Sequence, residues 1–163
     1  MQKLEWIQSK IYNRESLARE CKAWRVTGKK IVFTNGCFDI LHHGHLDLLA
    51  RAADFGNILI VALNTDSSVH RLKGPERPIT NEHDREFQIA SLLCTDAVTL
   101  FHEDTPENLI KLIQPDVLVK GGDYTLDKIV GADFVQSYGG TVEIIPFVQG
   151  YSTSSIISKI KGL

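Results

Sequence analysis

The chain has 163 residues and a formal net charge of −2, a length that suits one domain burying roughly 70% of the surface its unfolded form exposes. Its lysines and arginines are scattered rather than massed, which argues against a nucleic-acid partner. Its longest apolar run, residues 58–63, is too short to span a bilayer, which argues against a membrane span.

The N-terminal stretch MQKLEWIQSKIYNRES lacks the apolar core of a signal peptide, so a soluble, cytoplasmic protein is expected. Asn13 is a good N-cap, and the run after it places Leu17, Cys21 and Trp24 on one helical face before Gly28. Residues 1–28 read as a helical extension, and residues 29–163 as the main domain. Residues 31–33 read as a short buried strand. Residues 45–55 read as a helix with Leu48, Leu49, Ala52 and Ala53 inward. Residues 57–64, apolar nearly throughout, suit a parallel strand covered on both faces. A polar stretch with Lys73, Gly74, Pro75 and Pro78 then breaks the pattern. Asn81 opens the next helix with Asp84 as capping partner. Residues 97–101 make a third strand, and Thr105, Pro106 and Glu107 a helix start in which the threonine caps. Residues 117–119 form a fourth strand, 127–138 a helix, 142–145 a fifth strand and 153–160 a closing helix.

This alternation predicts an α/β fold: a single Rossmann-like, doubly wound domain on a five-stranded parallel sheet, with an added N-terminal helix. Ligands in such sheets bind beyond the carboxyl ends of the strands, near the switch in strand order. The stretch TNGCFDILHHGHLDLL, residues 34–49, is expected there, as are residues 64–66, 120–123 and 150–154.

The histidine-rich stretch admits a metal site, a phosphate cradle or a polar turn. His42 and His45 are three apart at a helix start, so both rings can face one side, and Gly44 leaves room for a ligand. The helix amino end adds free N–H groups and partial positive charge, and imidazoles donate hydrogen bonds or carry charge near neutral pH. That combination suits a triphosphate. Neither GxGxxG nor GxxxxGK[ST] follows the strand, which removes the usual dehydrogenase and ATPase readings. Cys21, Cys37 and Cys94 contain no CxxC pair, which fits reduced thiols and leaves a zinc site at HHGH without a partner thiol.

His42, His43, Gly44 and His45 fit HxGH, and TNGCFDILHHGH resembles the opening signature of the nucleotidyltransferase superfamily that contains the cytidylyltransferases. With RLKGPERPI, LVKGGDY and YSTSSII following in order, the chain is most similar to the heptose 1-phosphate adenylyltransferase branch. The resemblance covers about residues 29–160. It implies transfer of AMP from ATP to D-glycero-β-D-manno-heptose 1-phosphate, with ATP and the sugar phosphate as partners and magnesium carried on the ATP phosphates. It implies catalytic roles for His42, His45 and Lys73. Cys37, Phe38, Gly44, Asp123, Ser152, Thr153 and Ser154 would bind the nucleotide, Cys37 and Phe38 through their backbones. Asp39 would orient the histidines or the acceptor, and Lys73 would also meet the sugar phosphate. The branch is often fused to a sugar kinase, for which 163 residues leave no room, so the transferase alone is expected. Self-association, as a dimer for example, is expected too, with the leading helix as a contact. The cytidylyltransferase branch carries RTxGIST[TS], but here Phe147 stands at the arginine position, which favours ATP and leaves Lys159 or a neighbouring subunit to supply the charge. Two other readings are a CTP-dependent enzyme acting on glycerol 3-phosphate or a related alcohol, and a nucleotide-binding module without catalysis.

Overall fold

A computed structural model describes residues 2–162. Five parallel strands, β1 (Ile31–Gly36), β2 (Ile58–Asn64), β3 (Ala97–Phe101), β4 (Val117–Gly121) and β5 (Thr141–Ile145), form one sheet in the order β3-β2-β1-β4-β5. The chain lays down β1 to β3 in one direction and then returns to place β4 on the other side of β1. Strand order therefore reverses between β1 and β4, which opens a crevice at their carboxyl ends. The expected parallel α/β sheet is present.

Side chains alternate across each strand and so feed two separate cores. Ile31 and Phe33 of β1 pack with Leu17 and Cys21 of α2 (Arg14–Val26), Leu109 and Ile110 of α6 (Glu107–Ile113) and Val135 of α7 (Ala132–Ser137). Val32 faces the opposite layer, with Leu49 and Ala52 of α3 (His43–Ala53), Ile89 of α5 (Glu82–Ala90) and Ile7 of α1 (Lys3–Gln8). Complete burial of Leu17 contributes roughly 1.5–3 kcal/mol, so α2 is bonded into the main core. Lys10 and Tyr12 also exchange backbone hydrogen bonds with Val98, at 2.8 Å each, which covers the outer edge of β3.

Three local expectations are corrected. Residues 66–73 form a helix, α4 (Asp66–Lys73), where a polar break was expected. Only Ser68 and Val69 are buried along it, so no apolar periodicity announces it; Ser68 Oγ instead joins Asn64 and the Glu103 carbonyl. The helix expected at 127–138 is divided into a 3-10 turn at Leu126–Lys128 and α7. Gly131 separates them at φ 86°, where a Cβ would come within 2.7 Å of Ile110, so the close approach of α6 sets the break. Thr105 does not cap α6, whose N-cap position Pro106 occupies. Cys94 lies in the turn after α5, half-buried against the core.

Arg14 at the start of α2 pairs with Glu103, just after β3. That hydrogen bond, opposed by partial burial, pushes the Glu103 carboxyl down to about 2 from 4.5. The stability it adds is present above the unfolded value and is lost as pH falls from about 4.5 to about 2. Urea midpoints at pH 7 and pH 3 should therefore differ less in an Arg14→Met variant than in the wild type. Equal differences would contradict the linkage.

Candidate active site

The segment after β1 turns back sharply. Phe38 adopts φ 47°, a left-handed conformation that costs a non-glycine residue roughly 1–2 kcal/mol. Its buried ring meets His45 edge-on, with centroids 5.1 Å apart. Gly36 is required beneath it, because a Cβ there would approach the Phe38 ring to 2.9 Å. Arg85 of α5, fully buried, ties three ligand-end segments together: it donates to the Cys37 carbonyl at 2.6 Å, the Thr80 carbonyl at 3.0 Å and the Asp66 carboxylate at 2.7 Å.

Asp39 is not bonded to the histidines. Its buried carboxylate accepts from Arg77 Nε at 2.5 Å and from the backbone N–H groups of Ile79 and Thr80, each at 2.8 Å. Burial works to raise its pKa, but the Thr80 and Ile79 amides and Arg77 outweigh burial and hold the carboxyl below its usual range. Asp39 therefore anchors the loop of residues 74–80 that follows α4.

His42 occupies the N-cap position of α3 and His45 the first turn. Their rings stack with centroids 3.8 Å apart and planes at 20°. Burial, then the neighbouring His42, pushes His45 down to about 4, and burial lowers His42 as well. Near neutral pH the rings are therefore uncharged. Neither Nδ1 has a hydrogen-bond partner among the described residues, and each such buried group costs about 1–3 kcal/mol until something pairs with it. Gly44 keeps the turn open, since a Cβ would stand 3.3 Å from the His42 ring and 3.4 Å from Tyr151.

These groups line a cavity of about 820 Å³ at the switch point. Cys37, Phe38, Asp39, His42, Gly44, His45, Lys73, Ser152, Thr153 and Ser154 all border it. Burial pushes the Cys37 thiol up, so it is an uncharged part of the wall. Lys73 is exposed at the end of α4. Ser152 caps α8 (Thr153–Lys161), its Oγ accepting from the Ser155 N–H at 3.0 Å, so the open end of that helix faces the cavity. Asp123 is exposed beside the cavity, between the lining residues Gly121 and Tyr124. Lys159 does not border the cavity.

Asn35, Arg77 and Tyr124, given no role from the sequence, also line the cavity, as do Lys120 and Tyr151 of the segments 120–123 and 150–154 expected there. Phe147 borders the cavity and packs on Gly122, where a Cβ would come within 2.9 Å of its ring. Among the described residues there is no group of three or more His, Cys, Asp or Glu side chains arranged for a metal ion. Asp39 is taken by Arg77 and Asp104 by Arg71. The remaining donors suit phosphate oxygens and would leave a divalent cation to the phosphates themselves. No helix among the described residues is long and apolar enough to cross a membrane.

The family model described as cytidylyltransferase-like matches residues 33–159. The chain is 54% identical over 153 residues to the bifunctional protein HldE of Geotalea uraniireducens, covering 94% of this chain and 31% of that protein. It is 55% identical over 152 residues to the HldE of Trichlorobacter lovleyi, with 93% and 31% covered. The chain thus spans about a third of the length of these curated relatives. A crystal structure of a lipopolysaccharide core biosynthesis protein from Thermoplasma volcanium superposes with TM-score 0.60 at 30% identity, covering 77% of this chain and all of the other. Pantoate-beta-alanine ligase from Francisella tularensis, at TM-score 0.61 and 16% identity, covers 94% and 78% and shares the fold. The chain belongs to the cytidylyltransferase-like family of nucleotidyltransferases.

Proposed function

We propose that the protein transfers AMP from ATP to D-glycero-β-D-manno-heptose 1-phosphate, giving ADP-heptose and pyrophosphate. The stacked His42 and His45 pair at the amino end of α3, set in the wall of the switch-point cavity, carries this reading. About 50% identity to HldE proteins over nearly the whole chain supports it, as do the four ordered segments of the resemblance.

A phosphate oxygen of the sugar 1-phosphate attacks the α-phosphorus of ATP. The new P–O bond forms in line as the bond to the β-phosphate oxygen breaks, and pyrophosphate leaves with that electron pair. No protein nucleophile is needed, so catalysis rests on placement and charge stabilisation. The imidazoles donate to the oxygens on which negative charge accumulates. The hydroxyls and open N–H groups of residues 152–154 hold the β- and γ-phosphates. Lys73, exposed on its flexible stem, follows the phosphates as a movable point charge. Asp39 serves the acceptor indirectly, by fixing Arg77 and its loop at the cavity wall. Magnesium, carried in on the triphosphate, neutralises charge on the leaving group when bound.

Pyrophosphate release with ATP or CTP and a panel of sugar and polyol phosphates tests the proposal. ATP with the heptose 1-phosphate should release pyrophosphate fastest. Use of CTP with glycerol 3-phosphate, ATP being ignored, would contradict the assignment. Nucleotide binding with no release from any pair would point to a module without catalysis.

A further inference from the structure

Lys120 stands near the carboxyl end of β4, across the switch point from Asn35 of β1, and both side chains border the cavity. Its half-buried ammonium has one hydrogen bond among the described residues, to Asn35 Oδ1 at 3.4 Å, a long contact at the limit of useful geometry. The Tyr124 ring lies 5.8 Å away. Burial lowers its pKa, opposed by the Cys37 thiol and by no carboxylate. Other cations nearby are provided for: Arg77 is paired with Asp39, Arg85 with Asp66, and Lys73 and Lys128 are exposed to water. Lys120 alone among these combines partial desolvation with the lack of a counter-charge.

An ammonium has three donors, and here at most one is in use. Leaving such a group poorly paired in the wall of a cavity is costly, and an anionic ligand removes that cost. The surrounding wall, with the two histidines and the open end of α8, consists of donors, which suits an anion rich in oxygens. We infer that the Lys120 ammonium binds a phosphoryl oxygen of the cavity's ligand and thereby contributes directly to substrate binding. The inference rests on the reading of the cavity as a phosphoryl-transfer site, and it adds a residue that neither the HxGH stretch nor the serine-rich segment contains.

Titrations of ATP, adenosine and glucose 1-phosphate, followed by calorimetry on wild type, Lys120→Met and Lys120→Arg, test it, together with ligand-free Tm. Lys120→Met should weaken binding of at least one phosphorylated ligand roughly 10- to 100-fold, the loss typical of removing one hydrogen bond to a charged group. Adenosine affinity should be unchanged, Lys120→Arg should restore much of the loss, and the ligand-free Tm of Lys120→Met should hold or rise. Loss confined to ATP places the lysine on the nucleotide phosphates; loss confined to glucose 1-phosphate places it on the acceptor. Either supports the inference. Unchanged affinity for both phosphorylated ligands overturns it while leaving the proposed reaction intact. A fall in Tm with equal losses for ATP and adenosine also overturns it, by showing a structural role. Wild-type protein that binds neither ATP nor glucose 1-phosphate overturns the phosphoryl-transfer reading and this inference together.

Discussion

His45→Ala is expected to lower turnover by about 10²- to 10³-fold, the loss typical of removing one donor aimed at developing negative charge. The change falls on kcat more than on KM for ATP, because the donor matters most where charge accumulates in the transition state. The fold should survive, since His45 packs through the stack with His42 and the edge of Phe38 and lies outside both hydrophobic cores. A second readout is independent of activity. The ring protonates near 6.5 when unfolded and about 4 when folded, so between those values the unfolded chain holds more protons. Native stability therefore falls as pH drops from about 6.5 toward about 4, and His45→Ala should flatten that slope. Full activity in the variant would remove the histidine from the mechanism.

Asp39→Ala should be the most destabilising substitution in the site. Its carboxylate is fully buried and bonded to Arg77 and two backbone amides. Breaking a buried pair from one side costs about 3–5 kcal/mol, because the partner charge and its hydrogen-bonding groups stay behind unpaired. Here the groups left behind are Arg77, whose side chain is 16% exposed, and the Ile79 and Thr80 N–H groups. Urea unfolding should show that loss, and activity should fall with it because Arg77 and Lys73 both border the cavity. Asp39→Asn retains an oxygen acceptor for the amides and should lose less. Wild-type stability in Asp39→Ala would mean that the tether does nothing.

The sheet was legible because its strands are largely apolar runs, and the HxGH turn because three-residue spacing at a helix start puts two rings on one side. What the sequence hid depends on partners far along the chain. Asp39 reads as a neighbour of the histidines, yet the groups that satisfy it are 38 to 41 positions away. Helix α4 is held by polar contacts to Asn64 and Glu103, which leave no mark in an apolar pattern. Lys120 gains its character from burial beside β1, and a strand's register with its neighbour is not written in either strand alone.

The central claim is that the stacked imidazoles at positions 42 and 45 hold the phosphoryl oxygens of a nucleoside triphosphate. A crystal structure with a non-hydrolysable ATP analogue tests it most directly. The account predicts an imidazole nitrogen of each histidine about 2.7–3.2 Å from a phosphate oxygen, with the terminal phosphates at the amino end of α8. Phosphates bound elsewhere in the cavity, with both rings still stacked on each other and making no contact to them, would contradict it.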